Sequence, residues 1–229
     1  MNNEKVISLL EPLLTENRVN RMRQVLAARS DHVAFVFERM TDPHNMSAAL
    51  RSLDAFSFQD AHWVQPGERL QPGPARGITI GSDRWLSMHR HADTRTCLDA
   101  LKEKGYTVLA SHLGQAPSVS LHELDFTRPL ALVFGNEHAG VSEEVLELAD
   151  GNFRIEMNGF VESLNLSVAV AVTAFHARGE LERLAGESGD PDRFRLSGDR
   201  KKAIYARWLK GSVKRSDRIL SEAGIDPEL

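Results

Sequence analysis

An alternation in the sequence constrains this chain more than anything else. Short apolar runs of four to seven residues recur at 33–38 (VAFVFE), 61–64 (AHWV), 106–112 (YTVLASH), 130–134 (LALVF) and 152–157 (NFRIEM). Runs this short read as strands, and their near-continuous apolar character fits strands covered on both faces. Segments with helical spacing lie between them. Met46, Ala49, Leu50, Leu53 and Phe56 line one helix, residues 94–104 form another, and Ser142 opens a third with Glu143 and Glu144 in its first turn. Strand and helix in alternation predict an α/β fold with a parallel sheet, whose sites sit at the carboxyl ends of the strands.

Helical segments flank this core. Residues 4–29 read as two amphipathic helices, carried by Val6, Leu10, Leu13 and then Val19, Met22 and Leu26. Residues 186–192 (GESGDPD) read as a linker, followed by helices at about 199–210 and 213–223. The expected organisation is therefore an extension over 1–31, a core domain over 32–185 and a tail over 186–229.

At 229 residues the chain can bury one sizeable core. Cys97 is the single cysteine, which rules out an internal disulfide and suits a reducing compartment. Met1 is followed by no basic-then-apolar leader, and the longest apolar run, 168–175, is too short to cross a bilayer. The expectation is a cytoplasmic protein without a membrane partner. Charge is unevenly spread. Nine acidic residues and two arginines fall in 119–162, whereas 193–218 carries ten Lys/Arg against Asp199 and Asp217. A basic tail suits a polyanion, and Arg200, Lys201, Lys202, Lys210, Lys214 and Arg215 are its candidate RNA-binding residues. Phe194, Tyr205 and Trp208 lie among these charges, where they can either stack on bases or dock the tail.

Several chemistries lack their signatures. There is no phosphate-binding G-x-x-x-x-G-K-[ST], no G-x-G-x-x-G after a strand and no G-x-S-x-G elbow. His89 and His91 have no carboxylate–cysteine set nearby in sequence, so no metal site is expected, and Cys97 reads as packing. Three polar loops remain, each at an expected strand end. The first is Asp42-Pro43-His44-Asn45, with Arg51 six residues after Asn45. The second is Gly135-Asn136-Glu137-His138-Ala139-Gly140. The third is Ile155-Glu156-Met157-Asn158-Gly159 with Ser163-Leu164-Asn165-Leu166-Ser167, leading into an apolar helix. Taken singly, Asn45, Ser163 and Asn165 read as helix caps.

In this order and spacing the three loops resemble the SpoU/TrmH family of S-adenosylmethionine-dependent RNA 2′-O-ribose methyltransferases. The N-x-x-x-x-x-R, G-N-E-x-x-G and S-L-N-x-S-x-A patterns are all met, over about residues 33–180. The resemblance implies a SPOUT fold, in which a parallel sheet carries a deep C-terminal trefoil knot, and it implies a homodimer. It also implies that Ser111, Gly135, Ile155 and Leu164 hold S-adenosylmethionine. Arg51 would act on the ribose 2′-hydroxyl, with Asn45, Glu137, Ser163 and Asn165 around it. Glu156 stands where the family often has proline, and Glu162 where its tRNA enzymes often have glutamine. Short helical extensions at both ends resemble the tRNA (guanosine-18) members more than the rRNA members, which often carry a whole RNA-binding domain. The expected partner is tRNA. The alternatives are an rRNA enzyme, an idle RNA-binding or assembly factor, and a nucleotide-binding α/β protein without RNA.

Overall fold

The computed structural model describes residues 3–65, 83–112 and 117–227. In chain order the elements are α1 (Asn3–Leu10), α2 (Glu16–Ala28), β1 (Val33–Glu38), α3 (Pro43–Ala55), β2 (Asp60–Val64), β3 (Ser87–His91), α4 (Thr94–Glu103), β4 (Thr107–Ser111) and β5 (Ser118–Ser120). They continue with β6 (Leu130–Phe134), α5 (Glu143–Leu148), β7 (Gly151–Arg154), α6 (Leu166–Ser188), α7 (Gly198–Ser212) and α8 (Ser216–Glu222). Among the described residues the strands form one sheet in the order β3-β2-β1-β6-β4-β7-β5, and every pairing is parallel. The proline- and glycine-rich loop at 66–77, with Arg69 and Arg76, lies outside the described residues.

The two faces of the sheet follow from the period of two along each strand. Val33, Phe35 and Phe37 of β1 join Leu130, Leu132 and Phe134 of β6 on one face, covered by α3 and α6. Ala34, Val36, Ala131 and Val133 point to the other, where Cys97, Leu98 and Leu101 of α4 and Val145 of α5 cover them. Phe35 packs on Phe58 at 5.1 Å, and Phe134 meets Phe153 edge-on at 5.9 Å.

Glu38 is one of several polar residues buried among the described residues. The Glu38 carboxyl group, at the end of β1, accepts from Thr94 Oγ1 at 2.9 Å, from Ser142 N at 2.9 Å and from Ser142 Oγ at 2.5 Å. It thereby ties the start of α4 and the cap of α5 to the central strand. The strand pattern gives no hint of this residue, because Glu38 simply ends an apolar run.

Two expectations are corrected. The last strand stops at Arg154, so residues 155–157 are irregular backbone instead of pairing in the sheet, and Ile155 and Met157 line the site. The linker begins late. α6 runs on to Ser188 and closes at Gly189 in the left-handed region (φ 71°), because the leucine spacing at 181 and 184 extends its apolar stripe beyond Ala177. Along α6, Val168, Val172 and Phe175 are exposed.

The chain divides into two compact units, residues 30–194 and residues 1–29 with 195–229. In the second, α7 packs on α1 and α2. Tyr205 and Trp208 are buried, and Tyr205 Oη donates to Glu11 Oε2 at 2.5 Å while Arg23 pairs with the same carboxylate at 2.8 Å. The Tyr205 hydrogen bond is the main cause holding Glu11 below the usual carboxylate range. Trp208 lies under the Arg29 guanidinium at 5.6 Å. These aromatics are packing residues. Phe194, in the larger unit, is also buried, its ring tilted at 60° against His32 with centroids 4.5 Å apart.

Candidate active site

Each of the three loops is held by a local device. Asp42 caps α3 by accepting from His44 N at 2.8 Å, so the cap is Asp42 and Asn45 is released to the helix's first turn. Gly135 is required by a close approach: a Cβ there would lie 2.1 Å from the Gly140 carbonyl carbon and oxygen. Asn136 and Gly140 exchange backbone hydrogen bonds at 2.8 and 2.9 Å, and Gly140 takes the left-handed conformation (φ 70°). The Asn136 side chain fixes the same turn, accepting from His138 N and Ala139 N at 2.9 and 3.1 Å. Asn165 caps α6 by accepting from Ser167 N at 2.9 Å and Ser167 Oγ at 2.6 Å, whereas Ser163 makes no cap.

The three loops then meet through side chains. Glu137 Oε1 accepts from Asp42 N at 3.3 Å and Asn45 Nδ2 at 3.4 Å, and Oε2 accepts from Thr41 Oγ1 at 3.4 Å and Asn136 Nδ2 at 3.3 Å. Asn45 Oδ1 in turn accepts from Asn165 Nδ2 at 3.1 Å. The chain Glu137–Asn45–Asn165–Ser167 therefore links residues separated by 92 and 120 positions.

Beside this network is a cavity of about 370 Å³, within the range of small-molecule sites. Ser111, Gly135, Ile155 and Leu164 all line it, as do Glu137 and Ser163. Phe134, Leu166 and Ala169 add apolar wall, and the turn Asn136–Gly140 adds main chain. Such a lining, an apolar wall beside a tight turn that Gly135 and Gly140 permit, fits an adenine nucleoside with a charged tail. Asn136 and Met157, which fall in the motif loops, also line it, as does His112, which does not stand out in the sequence. Asn136 is legible as the middle of G-N-E, but its hold on the turn is not. Glu156 is turned to Arg154, 3.6 Å away, and neither it nor Glu162 lines the cavity.

Arg51 is placed differently. Six residues beyond Asn45 on a helix is about 120° around the axis and about 9 Å along it. Arg51 is exposed, does not line the cavity, and makes no hydrogen bond with any described residue. In the tail, Lys202 pairs with Glu4 at 2.7 Å and Lys210 with Asp217 at 3.2 Å, while Lys214 and Arg215 are exposed.

A parallel sheet with its cavity at the strand ends, walled by the second and third loops and backed through Glu137 by the first, defines a nucleotide-type site on an α/β scaffold. The chain belongs to the SpoU rRNA Methylase family, whose model matches residues 32–175. It is 40% identical over 197 residues to a tRNA (guanosine(18)-2′-O)-methyltransferase of Thermus thermophilus, covering 86% of this chain and 97% of that one. It is 32% identical over 214 residues to the enzyme of the same name from Aquifex aeolicus, covering 93% and 99%. Among solved structures, the A. aeolicus TrmH/SpoU tRNA modifying enzyme superposes with a TM-score of 0.74 at 32% identity, covering 87% of this chain and 98% of the other. An AdoMet-bound rRNA methyltransferase from Sinorhizobium meliloti has a TM-score of 0.58 at 29% identity, covering 70% and 60%.

Proposed function

We propose that the chain is a tRNA (guanosine-18) 2′-O-methyltransferase using S-adenosylmethionine. The observation that carries this is the Glu137–Asn45–Asn165 chain closing against the 370 Å³ cavity, built from the loops that define the family. The 40% identity and near-complete overlap in length with the T. thermophilus relative named for guanosine 18 favour tRNA over rRNA. A 23S rRNA (guanosine-2′-O-)-methyltransferase from Vibrio cholerae matches at 30% identity, but the match covers only 70% of its own length.

The bound cofactor supplies an electrophilic methyl group on a sulfonium. The chain's residues have separate tasks. Ile155, Leu164 and Leu166 exclude water from one side of the cavity, and the Gly135–Gly140 turn presents main-chain groups to the other. Glu137 already receives four donors, which fill the acceptor sites of a carboxylate, so it positions two loops and is not a base. Asn165 and Ser163 hold the ribose edge. A guanidinium stays protonated and makes a poor base. Arg51 therefore orients the substrate phosphate and stabilises the developing alkoxide, which is where fixed charge gains most.

The same reading extends to the whole protein. The exposed Val168, Val172 and Phe175, spaced four and three apart on α6, form an apolar stripe suited to a homodimer interface, with Phe160 and Val161 exposed nearby in sequence. The placement of β4 between the later strands β6 and β7 supports the trefoil knot. Residues 1–31 and 186–229 serve as RNA-binding extensions to a catalytic domain at 32–185, with Arg200, Lys201, Lys202, Lys210, Lys214 and Arg215 meeting phosphates. No helix among the described residues is long and apolar enough to cross a membrane, and we place the reaction in the cytoplasm. Methyl transfer from labelled S-adenosylmethionine to an unmodified tRNA transcript, lost when guanosine 18 is replaced by adenosine, tests the reading. Labelling of rRNA alone would sink it.

A further inference from the structure

At the other end of the sheet, the methyl-transfer site leaves a cluster of side chains unused. His62 comes from β2, His91 from the end of β3 and Cys97 from α4, and each offers a ligand atom within 4.8 Å of the others. His62 Nδ1 and His91 Nε2 are 3.1 Å apart. Cys97 is fully buried and His62 nearly so, while His91 is partly exposed. None of the three lines the 370 Å³ cavity.

We propose that His62, His91 and Cys97 form a binding site for a thiophilic divalent transition ion, with zinc as the reference ion. Ligand atoms around a tetrahedral zinc ion stand roughly 3.3–3.7 Å apart, given bonds of about 2.0–2.1 Å to nitrogen and 2.3 Å to sulfur. The cluster needs to contract by about 1 Å at most to reach that spacing. Two imidazoles and a thiol select zinc-like ions over magnesium or calcium, which take oxygen. Packing alone does not call for this arrangement. The His62 and His91 nitrogens face each other with room for a single proton between them, and a thiol lies beside them.

The surroundings hold the ligands in place. The His62 ring stacks on His89, with centroids 4.5 Å apart and an interplanar angle of 20°, and lies nearly coplanar with His91 at 15°, edge to edge through the 3.1 Å nitrogen contact. His89 Nε2 in turn meets Asp60 Oδ1 at 2.7 Å, which holds the ring that packs on His62. The partly exposed side of His91 leaves a fourth position for water. The ion would clip β3, the edge strand of the sheet, to β2 and to α4.

The test uses the full-length protein freed of metal with a chelator, then titrated with Co²⁺ and back-titrated with Zn²⁺. We expect one equivalent per chain, a thiolate-to-cobalt charge-transfer band that zinc abolishes, and a higher Tm with zinc. Cys97→Ala removes the band, and both Cys97→Ala and His91→Gln weaken zinc binding by more than ~100-fold, beyond the range of outer-shell changes. His91 is partly exposed, so His91→Gln keeps the metal-free circular dichroism spectrum and covers the case in which Cys97→Ala misfolds. His89→Asn keeps the stoichiometry of one. Binding well below one equivalent, absence of the thiolate band, or unchanged affinity in His91→Gln overturns the site. Methylation of tRNA does not enter any of these readouts, so the proposal stands or falls apart from the methyl-transfer reading.

Discussion

Two polar clusters sit on one sheet, and they differ in nearly every physical respect. The Glu137–Asn45–Asn165 network is partly open to solvent, held by hydrogen bonds of 3.1–3.4 Å, and borders a cavity. The His62–His91–Cys97 cluster is mostly dry. Burial depresses His62 to about 3 and pushes the Cys97 thiol up to about 12. The first has spare room and loosely held donors, as expected of groups that tighten when a substrate arrives. The second has spare ligands and little room. The contrast separates a surface ready for an organic substrate from a close-set group of side chains whose ligand atoms lie within 4.8 Å of one another.

Changes at the network carry the largest expected effects. Arg51→Ala is expected to lower methyl transfer by ~10²–10³-fold, the usual loss when one charge-stabilising donor is removed. Because Arg51 does not line the cavity, cofactor affinity measured calorimetrically should stay unchanged. If affinity falls in parallel with turnover, the division between cavity and Arg51 is wrong. Gly135→Ala is expected to do the reverse and abolish cofactor binding first, since the new Cβ collides with the Gly140 carbonyl that shapes the cavity.

A smaller effect concerns α6. Phe175→Asp places a charge in the exposed apolar stripe and should shift the protein from dimer to monomer in sedimentation, with activity falling alongside. A monomeric wild type would remove the basis of this expectation. The smallest effects are on stability and on salt dependence. Glu38→Ala leaves Ser142 N and the Thr94 hydroxyl without their acceptor inside the core, and should cost about 2–3 kcal/mol in urea unfolding without changing the cofactor's affinity. Lys214→Ala in the tail should leave folding intact and reduce the salt dependence of tRNA binding by about one counterion.

The two clusters are not equally legible in sequence. The network can be read because its residues fall in three compact motifs whose order and spacing are distinctive. The apolar period places β1 and β6 because both are buried on both faces. What fails is local. Asn45 reads as a possible helix cap, yet Asp42 holds that position, since either residue type serves. The end of the last strand reads too long, because Ile155 and Met157 continue the alternation although they face a cavity. β5 leaves no signal, being three residues long. The metal-type cluster is invisible for a different reason. His62, His91 and Cys97 follow no ligand spacing, and only the register of β2 on β3, with α4 folded over it, brings them together. Nothing about Glu38 advertises its three hydrogen bonds, for the same reason that long-range pairing leaves no local pattern.

Nucleoside analysis of unmodified tRNA after incubation with the full-length protein and methyl-labelled S-adenosylmethionine tests the central claim most directly. The label should appear in 2′-O-methylguanosine and map to position 18 of the transcript. Label in a methylated base, or cofactor and tRNA binding with no label transferred, would contradict it.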